Sequence, residues 1–132
     1  MEMLNPKSWK APRGYNNGVS VEGRQIFVAG QIAWDKDCAI VSQDFSEQVR
    51  QVLSNILEVL AVAGAGPEHL VRLTWFVKDK QEYTSNLREI GEVYRSVVGK
   101  NFPAMTLVQV ADLLEAGAKV EIEATAVLPN GQ

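Results

Sequence analysis

The sequence predicts an α+β domain, with one mixed β-sheet and two helices packed on a single face of it. Three observations carry that expectation. Residues 119–127 alternate, so that in a strand Val120, Ile122, Ala124 and Ala126 share one face while Lys119, Glu121, Glu123, Thr125 and Val127 share the other. Two stretches, 45–60 and 83–97, carry apolar residues at spacings of three and four, the mark of a helix with one buried stripe. Strand-like and helix-like runs then follow one another in the order β-β-α-β-α-β-β, a strand-helix-strand unit read twice without a convincing residue-level repeat.

Composition bounds the function. A chain of 132 residues, 46% hydrophobic and 22% charged, fits one globular domain over residues 1–132 that buries roughly two-thirds of its unfolded surface. Cys38 is the only cysteine and cannot form an internal disulfide, and the N-terminus lacks the basic and apolar regions of a signal peptide, so a cytoplasmic location is expected. No apolar run approaches the ~20 residues of a membrane span, and no membrane partner is expected. The net charge of -3, with no clustered Lys/Arg run, weighs against nucleic acid as a partner.

Taken in order, residues 1–12 hold Pro6 and Pro12 and read as an irregular arm lying on the domain, with Trp9 and Trp34 packing it down. Tyr15 to Val21 and Arg24 to Trp34 are β-like runs separated by Glu22-Gly23, which reads as a hairpin turn. Gly30 inside the second run marks either a close approach by a ligand or backbone or a simple bulge. Asp44-Phe45-Ser46-Glu47 has capping-box spacing, and the stripe Phe45, Val49, Val52, Leu53, Ile56, Leu57 and Leu60 follows it in a helix ending near Gly64. Leu70 to Lys78 reads as a strand with Val71, Leu73, Trp75 and Val77 on one face. Asp79 can cap a second helix with the stripe Tyr83, Leu87, Ile90, Tyr94 and Val97, ended by Gly99. Gly91 costs that helix ~1 kcal/mol relative to Ala, which suggests a site where something packs closely. Ala104 to Val110 is the next strand, and residues 119–127 are the last.

Two helices cover one face of such a sheet. The other face is expected to hold Phe27, Phe76, Leu107 and Val127, more apolar surface than a soluble monomer usually shows, and oligomerisation through it is the simplest remedy.

Nearly the whole chain carries a family resemblance. Val28-Ala29-Gly30-Gln31-Ile32, the segment 48–64 with Asn55-Ile56-Leu57, Val71-Arg72-Leu73-Thr74 running into Val77-Lys78-Asp79, Phe102-Pro103-Ala104, and Val120-Glu121-Ile122-Glu123-Ala124 resemble the Rid family, also called YjgF and formerly labelled translation initiation inhibitor or endoribonuclease. The resemblance implies a chorismate-mutase-like fold and a homotrimer whose sheets face one another around the axis, with small-molecule clefts at the subunit interfaces. It also implies hydrolysis of 2-imino or enamine acids to 2-keto acids and ammonia without metal or cofactor. Carried over residue by residue, Glu121 matches the glutamate that orients water, Gly30 the glycine of the ligand-contacting backbone, and Tyr15 the tyrosine that closes the pocket. Ala104 precedes the family's carboxylate-binding arginine, and Met105 stands in that arginine's place.

That departure removes a cation and a hydrogen-bond donor, so a carboxylate there loses a charge-assisted pair worth ~1.5 to 3 kcal/mol. Arg13, just before Gly14-Tyr15, is the candidate substitute. Ala29 replaces a common serine, and Gly91 stands near a common helix asparagine. The bland alternatives are that Glu121 and Glu123 only line a channel and that Trp75 is core. His69 and Cys38 support neither a triad nor a metal site. Two function classes remain, an imine or enamine deaminase and a non-catalytic small-molecule-binding trimer.

Overall fold

A computed structural model describes residues 1–131. Its elements are β1 (Glu2–Met3), β2 (Val19–Ser20), β3 (Arg24–Gln31), α1 (Phe45–Val62), β4 (Leu70–Val77), α2 (Lys80–Thr84), α3 (Leu87–Val97), β5 (Ala104–Gln109) and β6 (Val120–Leu128), with a 3-10 turn at Pro67–His69 before β4. The main sheet has the order β3-β6-β4-β5. β6 runs antiparallel to both neighbours, whereas β4 and β5 are parallel and joined through α2 and α3. The sheet is therefore mixed, with the alternating strand of residues 120–128 at its centre.

That central position explains the alternation. Val120, Ile122, Ala124 and Ala126 are at most 4% exposed and meet the buried stripe of α1, in which Val49, Val52, Leu53, Ile56 and Leu60 are almost wholly enclosed. Asp44 caps α1 by accepting a hydrogen bond from the Glu47 N–H at 3.0 Å. Two polar residues, Ser46 and Gln48, are buried among the described residues. The Gln48 side chain, fully buried, donates to the carbonyls of Ser42 and Gly117 and accepts from the Lys119 N–H, each at 2.8 Å, tying α1 to the entry of β6. Both of its N–H donors and its carbonyl oxygen are engaged, so its burial carries little penalty.

Several local expectations are corrected. Glu22-Gly23 makes no hairpin: β2 is two residues long and pairs with β1 in a separate ladder, while β3 pairs with β6. Gly23 instead passes the backbone of Leu128 so closely that a Cβ there would strike its carbonyl. The register of β4 on β6 slips between Leu70 and Arg72, which turns Leu70 into the core and leaves Val71 half-buried. The second helix is broken after Thr84, so Asp79 caps only the short α2 and Asn86 begins α3. Leu107 packs with the helix-side core, and on the opposite face Val108 sits beside Phe76. Trp9 is 61% exposed and Trp34 lines a groove with Asn55 and Val59 of α1, so neither clamps the arm. Asparagines do that work. Asn5 holds Asn16 and Asn17, and Asn16 donates from its N–H to the Pro103 carbonyl and from its side chain to the Phe102 carbonyl.

The face of the sheet turned away from the helices stays open. Phe27 is 72% exposed there and Val108 41%. No helix among the described residues is long and apolar enough to cross a membrane.

Candidate functional site

The residues singled out by sequence fall in two places. Glu121 and Glu123 lie on the open face of β6, opposite Phe76 and Thr74 of β4, with Glu121 half-buried and Glu123 exposed. Across from Glu121, the pairing of β3 with β6 slips between Val28 and Gln31. Gly30 lies in that irregularity, and a Cβ on it would collide with the Glu121 carboxylate. The glycine thus marks both a bulge and a close approach, and the approaching group is the Glu121 side chain. Glycine at 30 is what lets the carboxylate lie flat against β3.

The second place is on the helix side. A cavity of about 270 Å³ opens between α3 and the β4–β5 edge, walled by Trp75, Tyr83, Tyr94, Phe102 and Met105. A neighbouring cavity of about 250 Å³ shares Gly14, Trp75, Tyr83 and Met105 with it and adds Arg13, Tyr15 and Leu107. The asparagine ladder described above puts Arg13, Gly14 and Tyr15 there, since it pins residue 16 to the end of the loop before β5. Ala104 is separated from Met105 by strand alternation and opens instead on a cavity of about 380 Å³ with Phe27, Arg72 and Thr125. Neither helix-side cavity has Gly30 or Glu121 in its wall. Within one chain, Met105 lines both helix-side cavities and the Glu121 carboxylate lines neither.

Aromatic pairs build the helix-side walls. Tyr94 and Phe102 stack at 5.6 Å and 12°, and Trp75 meets Tyr83 edge-on at 5.9 Å and 78°. The Tyr94 hydroxyl donates to the Asn101 carbonyl, and burial pushes its phenol far above the ordinary range, as it pushes Tyr83 up. Both phenols stay neutral at physiological pH. The Trp75 indole N–H is buried and has no hydrogen-bond partner among the described residues. Trp75 is therefore both core and cavity wall, where sequence had set the two against each other.

The cations of the site are sparse and informative. Arg24 donates to the Ala63 carbonyl, Arg50 to Ser96, and Arg88 pairs with Glu92. Arg13, Arg72 and Arg95 have no hydrogen-bond or ion-pair partner among the described residues, and each lines one of these cavities. Sequence reasoning named Arg13 but missed Arg95, Tyr83 and Phe102 as site residues. The available signal was the Gly91–Arg95 spacing of four on one helix face. His69 is engaged within its own turn, its Nδ1 accepting from the Gly66 N–H at 3.0 Å, and no metal-binding cluster occurs among the described residues.

Residues 6–128 match the protein family described as Endoribonuclease L-PSP. The chain belongs to this family, the Rid or YjgF family. A human Rid relative, 2-iminobutanoate/2-iminopropanoate deaminase, is 33% identical over 114 residues, covering 86% of this chain and 79% of that protein. A RutC family protein of Pyrococcus horikoshii is 36% identical over 126 residues, covering 95% and 96%. The crystal structure of a Rid family protein of unknown function from Yersinia pestis superposes with a TM-score of 0.86 at 34% identity, covering 96% and 98%. The Rid fold implied by the sequence motifs is the fold found.

Proposed function

We propose that this Rid-family chain is a deaminase that hydrolyses an imine or enamine to a carbonyl compound and ammonia, in a cleft completed between copies of the chain. The observation that carries the proposal is the Glu121 carboxylate laid against Gly30 on an uncovered sheet face, in a chain related to proteins named as imine deaminases. The open face with Phe27, Phe76 and Val108 supports burial against further copies, for which the homotrimer is the proposed arrangement. A second copy would bring a Met105 cavity up to the carboxylate that the first copy exposes.

The chemistry asks little of the protein. Glu121 accepts a proton from a water as the water oxygen adds to the imine carbon and passes it to the nitrogen to give a carbinolamine; the hydroxyl proton then moves to the nitrogen as the carbon–nitrogen bond breaks, releasing ammonia and leaving the carbonyl. Backbone groups at Gly30 and Ala104 orient and polarise the substrate, and Tyr15 closes the cavity. Arg13 is the substitute cation suggested by the sequence. A second reading, a binding trimer without catalysis, is favoured by Met105 itself, which packs against the core and offers no donor to a carboxylate.

The test compares substrates. With 2-iminobutanoate made in place by a threonine dehydratase and trapped with semicarbazide, wild type should not accelerate hydrolysis and Met105→Arg should. With the imine of phenylalanine, made by an L-amino-acid oxidase, wild type should accelerate hydrolysis and Glu121→Gln should lose at least about 100-fold. Wild type inert toward both imines would leave the binding trimer.

A further inference from the structure

We infer that Arg95 is the carboxylate anchor of the Met105 cavity, and that the cavity selects acids with an aromatic or branched apolar body. The inference deepens the reading of that cavity as the ligand site and rests on it.

Side chains on a helix lean toward its N-terminus and over the residue four positions earlier, so Arg95 reaches back along α3 toward Gly91. A Cβ built on Gly91 would meet Arg95 Nη1 at 3.5 Å, ordinary contact, so the guanidinium lies directly over the glycine. Gly91 and Arg95 both line the 270 Å³ cavity. A methyl group at 91 would only touch the guanidinium, so the glycine leaves the wall beside Arg95 open without being required there. Because Arg95 has no partner among the described residues, its fork of donors is available to an anion.

The remainder of the cavity sets the body of that anion. Its aromatic walls come from Trp75 with Tyr83 and Tyr94 with Phe102, arranged edge-on and stacked, and Leu87, Ile90 and Met105 fill the rest. The Tyr94 hydroxyl is already spent on Asn101, which leaves the Tyr83 hydroxyl, the unpartnered Trp75 indole N–H and Arg95 as the polar side-chain groups of the cavity walls. Ligand cavities are commonly ~300–1,000 Å³, and the 270 Å³ here adjoins a further 250 Å³ through shared walls. A two- or four-carbon acid would leave most of this apolar surface unfilled. A flat ring or branched chain would cover it, with the carboxylate turned out toward Arg95 at the mouth. Arg13 lines only the neighbouring cavity, with Tyr15 and Leu107.

Binding of 2-oxo acids, the products of imine hydrolysis, tests this without requiring turnover. By titration calorimetry, phenylpyruvate should bind wild type at least about tenfold more tightly than pyruvate. Arg95→Gln should weaken phenylpyruvate binding by about tenfold or more, Arg95→Lys and Arg13→Gln by less, and the control Arg88→Gln, outside both helix-side cavities, by less than about twofold, with melting temperatures unchanged. Equal affinity for the two acids, no phenylpyruvate binding by wild type, full binding by Arg95→Gln, or an equal or larger loss in Arg13→Gln would each overturn the inference. Arg95-dependent binding in a protein that hydrolyses no imine would sink the deaminase proposal and leave this one standing.

Discussion

The open face of the sheet around Gly30 and Glu121 and the helix-side cavity around Met105 are made of opposite materials. The first is a carboxylate laid over a bulged glycine on a bare strand, with Phe27 exposed beside it. The second is an apolar hollow between aromatic pairs, with an unpaired arginine at its rim. One region offers a carboxylate outside the aromatic hollow, the other a hollow with no carboxylate in its walls. On the proposed reading neither region is a site by itself, and hydrolysis takes place where the acidic face of one copy meets the apolar cavity of another.

The sharpest way to break that comparison is at Gly30. Any side chain there displaces Glu121 without touching the cavity, so Gly30→Val should cut hydrolysis of the phenylalanine imine by at least about tenfold while phenylpyruvate binding holds within about twofold. An equal loss of binding would mean that residue 30 serves to hold the ligand and not to place the carboxylate. Next in size is the support shared by both regions. Gln48→Leu leaves the Ser42 and Gly117 carbonyls and the Lys119 N–H without their buried partner, and should lower unfolding free energy in denaturant by about 1–3 kcal/mol. An unchanged midpoint would mean that the entry to β6 holds without this side chain.

The smallest effect is a control on the loop after β3. Hydrogen bonds from the Ala39 and Asp37 N–H groups hold the fully exposed Asp35 carboxyl below its ordinary range. A depressed folded pKa means that its contribution is present above the ordinary carboxylate range and is lost as pH falls through the folded value. Carbon-detected NMR titration should show Asp35 titrating low, with the amides of Asp37 and Ala39 moving in step and those of α3 unaffected. A normal titration would show that the turn does not depend on these bonds.

Much of the fold was legible in sequence for local reasons. α1 announces itself through one unbroken stripe and an aspartate that caps it, and β6 through strict alternation that its central position makes necessary. The ladder of β1 with β2 was hidden because two-residue strands have no period and their partners lie far apart in the chain. The bulge that exchanges Leu70 for Val71 is a shift of one residue, invisible to any pattern of alternating residues that are all apolar. Gly30, Glu121, Tyr15 and Met105 were legible as motif positions, but their division between two faces was not, because it depends on which strand neighbours which. Arg95 escaped notice because a lone arginine in the last turn of a helix already has an ordinary explanation in the helix dipole.

The most direct test of the divided site mixes two crippled chains. Glu121→Gln removes the base and Gly91→Trp fills the cavity, so each alone should be inactive toward the phenylalanine imine. Co-expressed with different tags and purified as mixed oligomers, they should regain part of the wild-type rate, because some interfaces then pair an intact carboxylate with an intact cavity. Mixed oligomers as inactive as either parent would contradict the account and place the whole reaction within one chain.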